Sequence, residues 1–328
     1  MVYTSLTDIP RNLKEGIDWL LAVKGADAEK NLAAMGAALY DFLVDKPVGF
    51  TEVPALENVK LISKEFLERQ EFKDMWPANE LLGRFNNHVK TQNIDHLKYP
   101  FPINDSDFSN VVRARRAVPE KIAEDLGRIV DGCESFLEHI VLPEQYLSAY
   151  NSEATWKKSC SEKPEDCAVV LVGIAPMLYA GLRSLKVACD NERLGGVPGA
   201  KAMSSLGSVL LADGYQEKQW PTAMTPSYVA KALEGVSHEV LVTLYDFAGF
   251  WAFYGLHDPN NVPAVKSGEL DKDAQEFIDF YVNMKPINPP KKKLQFIKSP
   301  STYTATGSNN MYYPWLPTVL DMGDTVPL

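Results

Sequence analysis

Cysteine and histidine are scarce in this chain, with four and five copies in 328 residues. Cys133, Cys160, Cys167 and Cys189 are too few for a disulfide scaffold, and no two stand as Cys-x-x-Cys. No histidine lies close enough in sequence to complete a zinc pattern, so no metal is expected. His88, His96, His139, His238 and His257 are never four apart, and none sits in His-Glu-x-x-His. Gly-x-Ser-x-Gly, Gly-x-Gly-x-x-Gly and the Walker spacing are all missing. Alternating β-branched runs are rare, which argues against a sheet protein. Net positive charge is lacking too. The formal charge of −10 repels phosphate, so nucleic acid is not expected as a partner.

Hydrophobic residues are plentiful, at 45%, enough to build a core without disulfides or metals. Their period is helical. Pro10 precedes a stripe of Leu13, Ile17, Leu20 and Leu21, which Gly25 stops. Asp27 is placed to cap a second stripe of Leu32, Met35, Leu39, Phe42 and Leu43. Pro54 opens a third with Leu56, Val59, Ile62 and Phe66, and a weaker one covers Glu80 to Lys90. Pro119 opens the longest, with Ile122, Leu126, Ile129, Cys133, Phe136, Leu137 and Ile140. Asn151 to Asp166 reads as a long loop. Ala168 to Cys189, Pro198 to Leu211, Pro226 to Leu233 and Asp271 to Met284 read as further helices. The fold class is all-α, a multi-helix bundle. Tyr99 to Asp107, with two prolines, marks the expected boundary between an N-terminal helical subdomain (1–98) and a main bundle (107–285). From 286 to 328 the expectation is an irregular, proline-rich tail.

The densest feature is Tyr245 to Asp258, "YDFAGFWAFYGLHD", with six aromatic residues in its first ten. As one helix from Ser237 to Leu256 it is apolar nearly all round, which suits a bundle centre or a membrane span. Val240 to Leu256 would extend about 26 Å, short of the roughly 30 Å of a bilayer core. Asp246 would add several kcal/mol near the middle of a span. A second apolar run, Ala168 to Leu182, reaches only about 22 Å and carries Pro176 inside. No membrane span is therefore expected. The two runs should touch, and Gly173, Ala180 and Gly181 on one, with Ala248, Gly249 and Ala252 on the other, leave room for the rings. Six buried rings are worth about 25 kcal/mol gross, which ordering the backbone nearly cancels, so almost every ring must be covered.

Signals for chemistry are weak. Leu194 to Lys201, "LGGVPGAK", reads as a loop between helices. Ser237, His238 and Glu239 read as a helix start, with Ser237 the cap and Glu239 at the positive end of the dipole. Arg113, Arg115 and Arg116, and Lys291 to Lys293, are either anion patches or, more commonly, solvated charged faces. Cys160 and Cys167 flank a loop that would close into a disulfide ring in an oxidising compartment. No catalytic residue and no cofactor is assigned. A pocket beside Trp251 and Tyr254 of the aromatic helix, with Asp246 as its polar anchor, is the candidate ligand site. The first residues lack the pattern of a secretory signal, so the expected location is cytoplasmic or reached by non-classical export.

Three stretches carry a resemblance. "MVYTSLTDIPRNLKEGIDWLLAVKG" at the start, "DCAVVLVGIAPMLYAGLRSL" (Asp166 to Leu185) and "LYDFAGFWAFYG" (Leu244 to Gly255) resemble blocks of an uncharacterised multigene family of piroplasm parasites, chiefly Babesia. The first also resembles the start of the variant erythrocyte surface antigens. The resemblance implies an apicomplexan parasite protein, in the parasite cytoplasm or exported to the infected erythrocyte, and the three stretches are not catalytic motifs. The expected function is a non-catalytic helical interaction protein with an unidentified protein partner. The alternative is a small-molecule-binding protein or enzyme using the pocket beside the aromatic helix.

Overall fold

The computed structural model describes residues 2–86, 105–107, 109–193, 205–221 and 224–254. Twelve α-helices occur among them. They are α1 (Leu13–Lys24), α2 (Ala28–Val44), α3 (Pro54–Leu67), α4 (Ala78–Asn86), α5 (Val111–Ala114) and α6 (Pro119–Ile140), then α7 (Trp156–Ser159), α8 (Pro164–Arg193), α9 (Leu206–Ala212), α10 (Pro226–Ala232), α11 (His238–Phe247) and α12 (Phe250–Phe253). No sheet forms among the described residues, and Tyr3 and Tyr150 make one isolated parallel bridge. The protein is an all-α bundle. The tail from 286, the helix at Asp271 to Met284, the loop at Leu194 to Lys201, Lys291 to Lys293, and most of the boundary at Tyr99 to Asp107 lie outside the described residues.

Helix ends follow the sequence signals in part. Asn12, Thr155, Ser205, Thr225 and Ser237 each accept a backbone N–H as N-cap, and Pro54, Pro119 and Pro226 open helices. Asp27 precedes α2 but makes no side-chain cap. The expected long loop at Asn151 to Asp166 is shorter, because α7 interrupts it and α8 begins at Pro164.

The bundle is organised around α8, which contacts α1, α2, α3, α4, α9, α10 and α11. Cys167 through Leu182 is buried at every position but Tyr179. Among the described residues α8 is the one helix long and apolar enough to cross a membrane, and 89% of its most apolar window is buried inside the bundle. The length limit expected from Ala168 to Leu182 does not apply, since the helix runs 30 residues; its burial marks it as a core helix. Helices α2 and α6 form the other main layer contact. Gly36 makes it close: a methyl built there would lie 2.7 Å from the Ala123 nitrogen.

The aromatic segment departs from expectation. It is two helices, α11 and α12, joined at Gly249, whose φ of 65° and ψ of 41° are left-handed. A Cβ there would also lie 2.7 Å from the Phe253 ring, so glycine is required twice over. The turn lets rings from both short helices point inward instead of around one long cylinder. α8 and α11 do touch, with Tyr179 and Tyr245 rings 5.3 Å apart. Two of the small residues of α8 make room for other neighbours. Gly173 admits Val59 and Leu56 of α3, and Gly181 admits Leu13 and Asp213.

Candidate functional site

All six aromatic residues of the segment are core. Tyr245 and Phe247 are 6% exposed, Phe250, Trp251 and Tyr254 1%, and Phe253 fully buried. Phe250 lies 4.6 Å from Tyr245 and 4.4 Å from Tyr254 between ring centroids. Tyr254 meets Phe85 of α4 edge-on at 4.9 Å, and Phe253 stacks on Phe42 of α2 at 5.4 Å.

The end of this segment is held by a group that hydrophobic pattern reading passes over. Lys60 of α3 is wholly buried. Its Nζ donates to both oxygens of Glu57, at 2.7 and 2.8 Å, and to the carbonyl of Phe253. It also lies 5.4 Å from the Phe50 ring centroid and 5.2 Å from that of Tyr254. Burial pulls the Lys60 ammonium below the usual lysine value, and Glu57 opposes the fall. Burial likewise raises the Glu57 carboxyl, with Lys60 opposing. Two backbone bonds complete the clamp, Gly49 N–H to Trp251 O at 2.8 Å and Thr51 N–H to Ala252 O at 2.6 Å. Three successive carbonyls at the end of α12 thus find donors from residues 49–60. A helix end leaves such carbonyls without intrahelical donors, so the clamp acts as a cap delivered from elsewhere in the chain.

The sequence-derived pocket residues divide. Asp246 is 5% exposed and accepts from both Nη atoms of Arg115. Trp251 and Tyr254 belong to the clamped end, and the Trp251 Nε1 and Tyr254 hydroxyl are buried with no hydrogen-bond partner among the described residues. Tyr254 is raised well above its usual pKa by burial, with Glu57 adding to the effect. Next to Asp246, Tyr245 donates to Asp107 at 2.7 Å, and Arg84 pairs with the same carboxylate at 2.9 Å. Lys60 itself had a sequence signal: it falls with Leu56, Ser63 and Leu67 on one helical face, and all four are buried.

Other expected groups take structural roles. Arg113 pairs with Asp45 at 2.6 Å and Arg115 with Asp246, so two of the three arginines neutralise carboxylates of the fold. Ser237 accepts from Val240 N–H, and Glu239 lies 3.7 Å from Arg128. His139 Nδ1 is 2.6 Å from Ser135 O, and His238 is exposed. His88, His96 and His257 lie outside the described residues. Among the described residues no group of three or more His, Cys, Asp or Glu is placed to hold a metal ion.

Cys160 and Cys167 are joined by a disulfide, with Cα atoms 6.0 Å apart and both side chains fully buried. The bridge ties the end of α7 to the first turns of α8. Beside it the N-terminal segment is strapped down. Leu6 N–H donates to Ser159 Oγ, Trp19 Nε1 to Leu6 O, and Tyr3 N–H to Ala149 O. Asp18, 2% exposed, accepts from Lys14, Tyr146 and the Ala149 N–H and fixes the segment from Tyr146 to Ala149 to α1. No protein-family model, no curated protein and no solved structure matches the chain.

Proposed function

We propose that the protein is a non-catalytic helical scaffold that acts by binding another protein. The observation that carries this is the burial of all six rings between Tyr245 and Tyr254 together with the clamp that closes their end. Rings used as core are not lining a site, and the ion pairs around them hold helices together. Contacts with a partner would fall on the exposed side. Leu147 is 80% and Val2 62% exposed, on the two segments that the Tyr3–Tyr150 bridge brings together. A charged rim follows at Lys157, Lys158, Glu162, Lys163, Glu165 and Asp166, all exposed. The resemblance to piroplasm proteins, resting on the three quoted stretches, makes the host–parasite interface or the parasite interior the setting. A buried disulfide suits export to an oxidising compartment better than a reducing cytoplasm.

A second reading has one observation in its favour. The Trp251 and Tyr254 donors are buried without partners among the described residues, and a small acceptor-bearing molecule would satisfy them. A thermal-shift screen over nucleotides, sugars, amino acids, organic acids and lipids separates the two. A ligand at a hundred times its Kd adds about 2.7 kcal/mol, roughly 5–10 °C for a unit of this size. The scaffold reading expects no saturable shift. A dose-dependent rise that is lost in Tyr254→Phe transfers the function to the aromatic end.

A further inference from the structure

The corner where α9 meets α1 holds a carboxyl that no described residue hydrogen-bonds. Asp213 caps the C-terminus of α9, and its carbonyl accepts the Lys14 N–H at 2.9 Å. Its side chain turns inward and is fully buried, and neither carboxyl oxygen has a hydrogen-bond partner among the described residues. Gly181 of α8 lies against this side chain. A methyl built on Gly181 of α8 would lie 2.9 Å from Asp213 Oδ1 and 3.0 Å from Leu13 Cβ.

The charge that bears on Asp213 is Arg69, just past the end of α3, and its guanidinium is already engaged. Nη1 donates to the carbonyl of Ala212, the residue before Asp213, and Nη2 to that of Arg11 at 3.0 Å. One guanidinium therefore staples the start of α1 to the end of α9. The other titratable groups around the corner are accounted for. Tyr215 follows two residues on, its hydroxyl also buried without a partner. Beyond it stand Asp18, Tyr146 and Cys133. Asp18 is occupied by Lys14, Tyr146 and Ala149. Glu15, Glu65 and Glu71 bear on Arg69. At the contact itself, α8 presents Gly181 and α1 presents Leu13.

We propose that this corner is a proton-operated latch: with Asp213 protonated the α1–α9 junction is closed, and on ionisation the carboxylate turns to Arg69, takes the guanidinium from the Ala212 carbonyl and opens the junction. A buried carboxylate without donors is costly, whereas a neutral carboxyl loses much less by burial. Burial accordingly raises the Asp213 carboxyl well above its usual value, against the pull of Arg69. The closed corner keeps a proton that the open one releases. Its stability is thus complete at acid pH and is lost as pH rises through the window above the usual carboxyl value of 3.8. The latch is tight at acid pH and loosens as pH climbs past that value, whatever partner the scaffold binds.

Amide hydrogen exchange tests it on the full chain between pH 4 and 9, with intrinsic base catalysis divided out. The opening equilibrium at the Lys14 amide and along α9 should rise with pH, by up to about tenfold per unit, and Asp213→Asn should flatten that rise. A flat wild type overturns the latch, and so does an equal rise in the variant. Should Asp213→Asn not fold, carboxyl carbon NMR of the wild type decides. An Asp213 resonance still unshifted when exposed aspartates have titrated near pH 4 supports the latch, and one titrating with them overturns it.

Discussion

Lys60→Met tests whether a buried cation holds the aromatic end as core. Methionine keeps the length and apolar stem of lysine and removes only the ammonium. With the ammonium go the bonds to Glu57 and Phe253 and the contacts with two ring faces. The Phe253 carbonyl, left buried without that donor, costs about 1–3 kcal/mol. The rings forgo roughly 0.5–2 kcal/mol of cation–π attraction. Glu57 keeps 19% of its side chain exposed and can turn to water, so its loss stays below the about 3–5 kcal/mol of a wholly buried pair. Relief of the ammonium's own desolvation offsets part of this. The net expectation is a loss of about 2–3 kcal/mol, or roughly 4–12 °C in Tm. Urea denaturation followed by tryptophan fluorescence gives the number, and Lys60→Met/Glu57→Gln supplies the cycle. Removing the orphaned carboxylate should recover part of the loss, with a coupling of about 1 kcal/mol or more. The native ammonium titrates below the unfolded value of 10.5, so the unfolded chain binds more protons in between. Wild-type stability therefore gains on the variant as pH rises through that window. A single variant within about 0.5 kcal/mol of wild type, with no coupling, would refute the clamp.

Two further outcomes follow from the packing. Gly36→Ala gains up to about 1 kcal/mol of helix propensity but drives a methyl into the Ala123 backbone, where overpacking costs about 1–3 kcal/mol. Chemical denaturation should show a net loss, and a gain would mean that the α2–α6 crossing is loose. The Cys160–Cys167 bridge spans seven positions, for which chain entropy gives about 2.5 kcal/mol, so Cys160→Ala/Cys167→Ala should lower the urea midpoint. Burial pushes the Cys133 and Cys189 thiols up to about 12, so neither should react with a thiol reagent at neutral pH until the protein unfolds. Two thiols should then titrate, and four would remove the disulfide from the native protein.

Much of the fold is legible because burial and helical period agree. Every member of the α6 stripe, from Ile122 to Ile140, is buried, and so are Leu56, Val59 and Phe66 of α3. The misses have physical causes. Lys60 and Ser63 share the buried face of α3, but their partners are Phe253 and Gly173, more than a hundred positions away. A polar residue in an apolar stripe signals that such a partner exists without saying where. The break at Gly249 was hidden by apolar residues on both sides, and a glycine inside a helical pattern was its one local sign. The partners of Gly173 and Gly181 were unreadable for a different reason. α8 is apolar on all sides, so its sequence carries no phase to say which neighbour each small residue meets.

The same clamp decides how much weight a ligand at the aromatic end can bear. A ligand that reached the Trp251 and Tyr254 donors by parting α12 from residues 49–60 would have to break the clamp. Three hydrogen bonds close that seam, one of them from an ammonium. At about 0.5–1.5 kcal/mol for each neutral bond and about 1.5–3 for the charged one, opening it costs roughly 3–6 kcal/mol before any ring is uncovered. A millimolar ligand has only about 4 kcal/mol to offer, so opening would consume it. A genuine occupant would therefore need intrinsic affinity well into the micromolar range or better, and its binding would loosen the bonds at Gly49 and Thr51. Faster exchange of those two amides on addition of a compound is the mark of entry there. Binding that leaves them protected belongs to the outer surface, where the scaffold reading puts the partner.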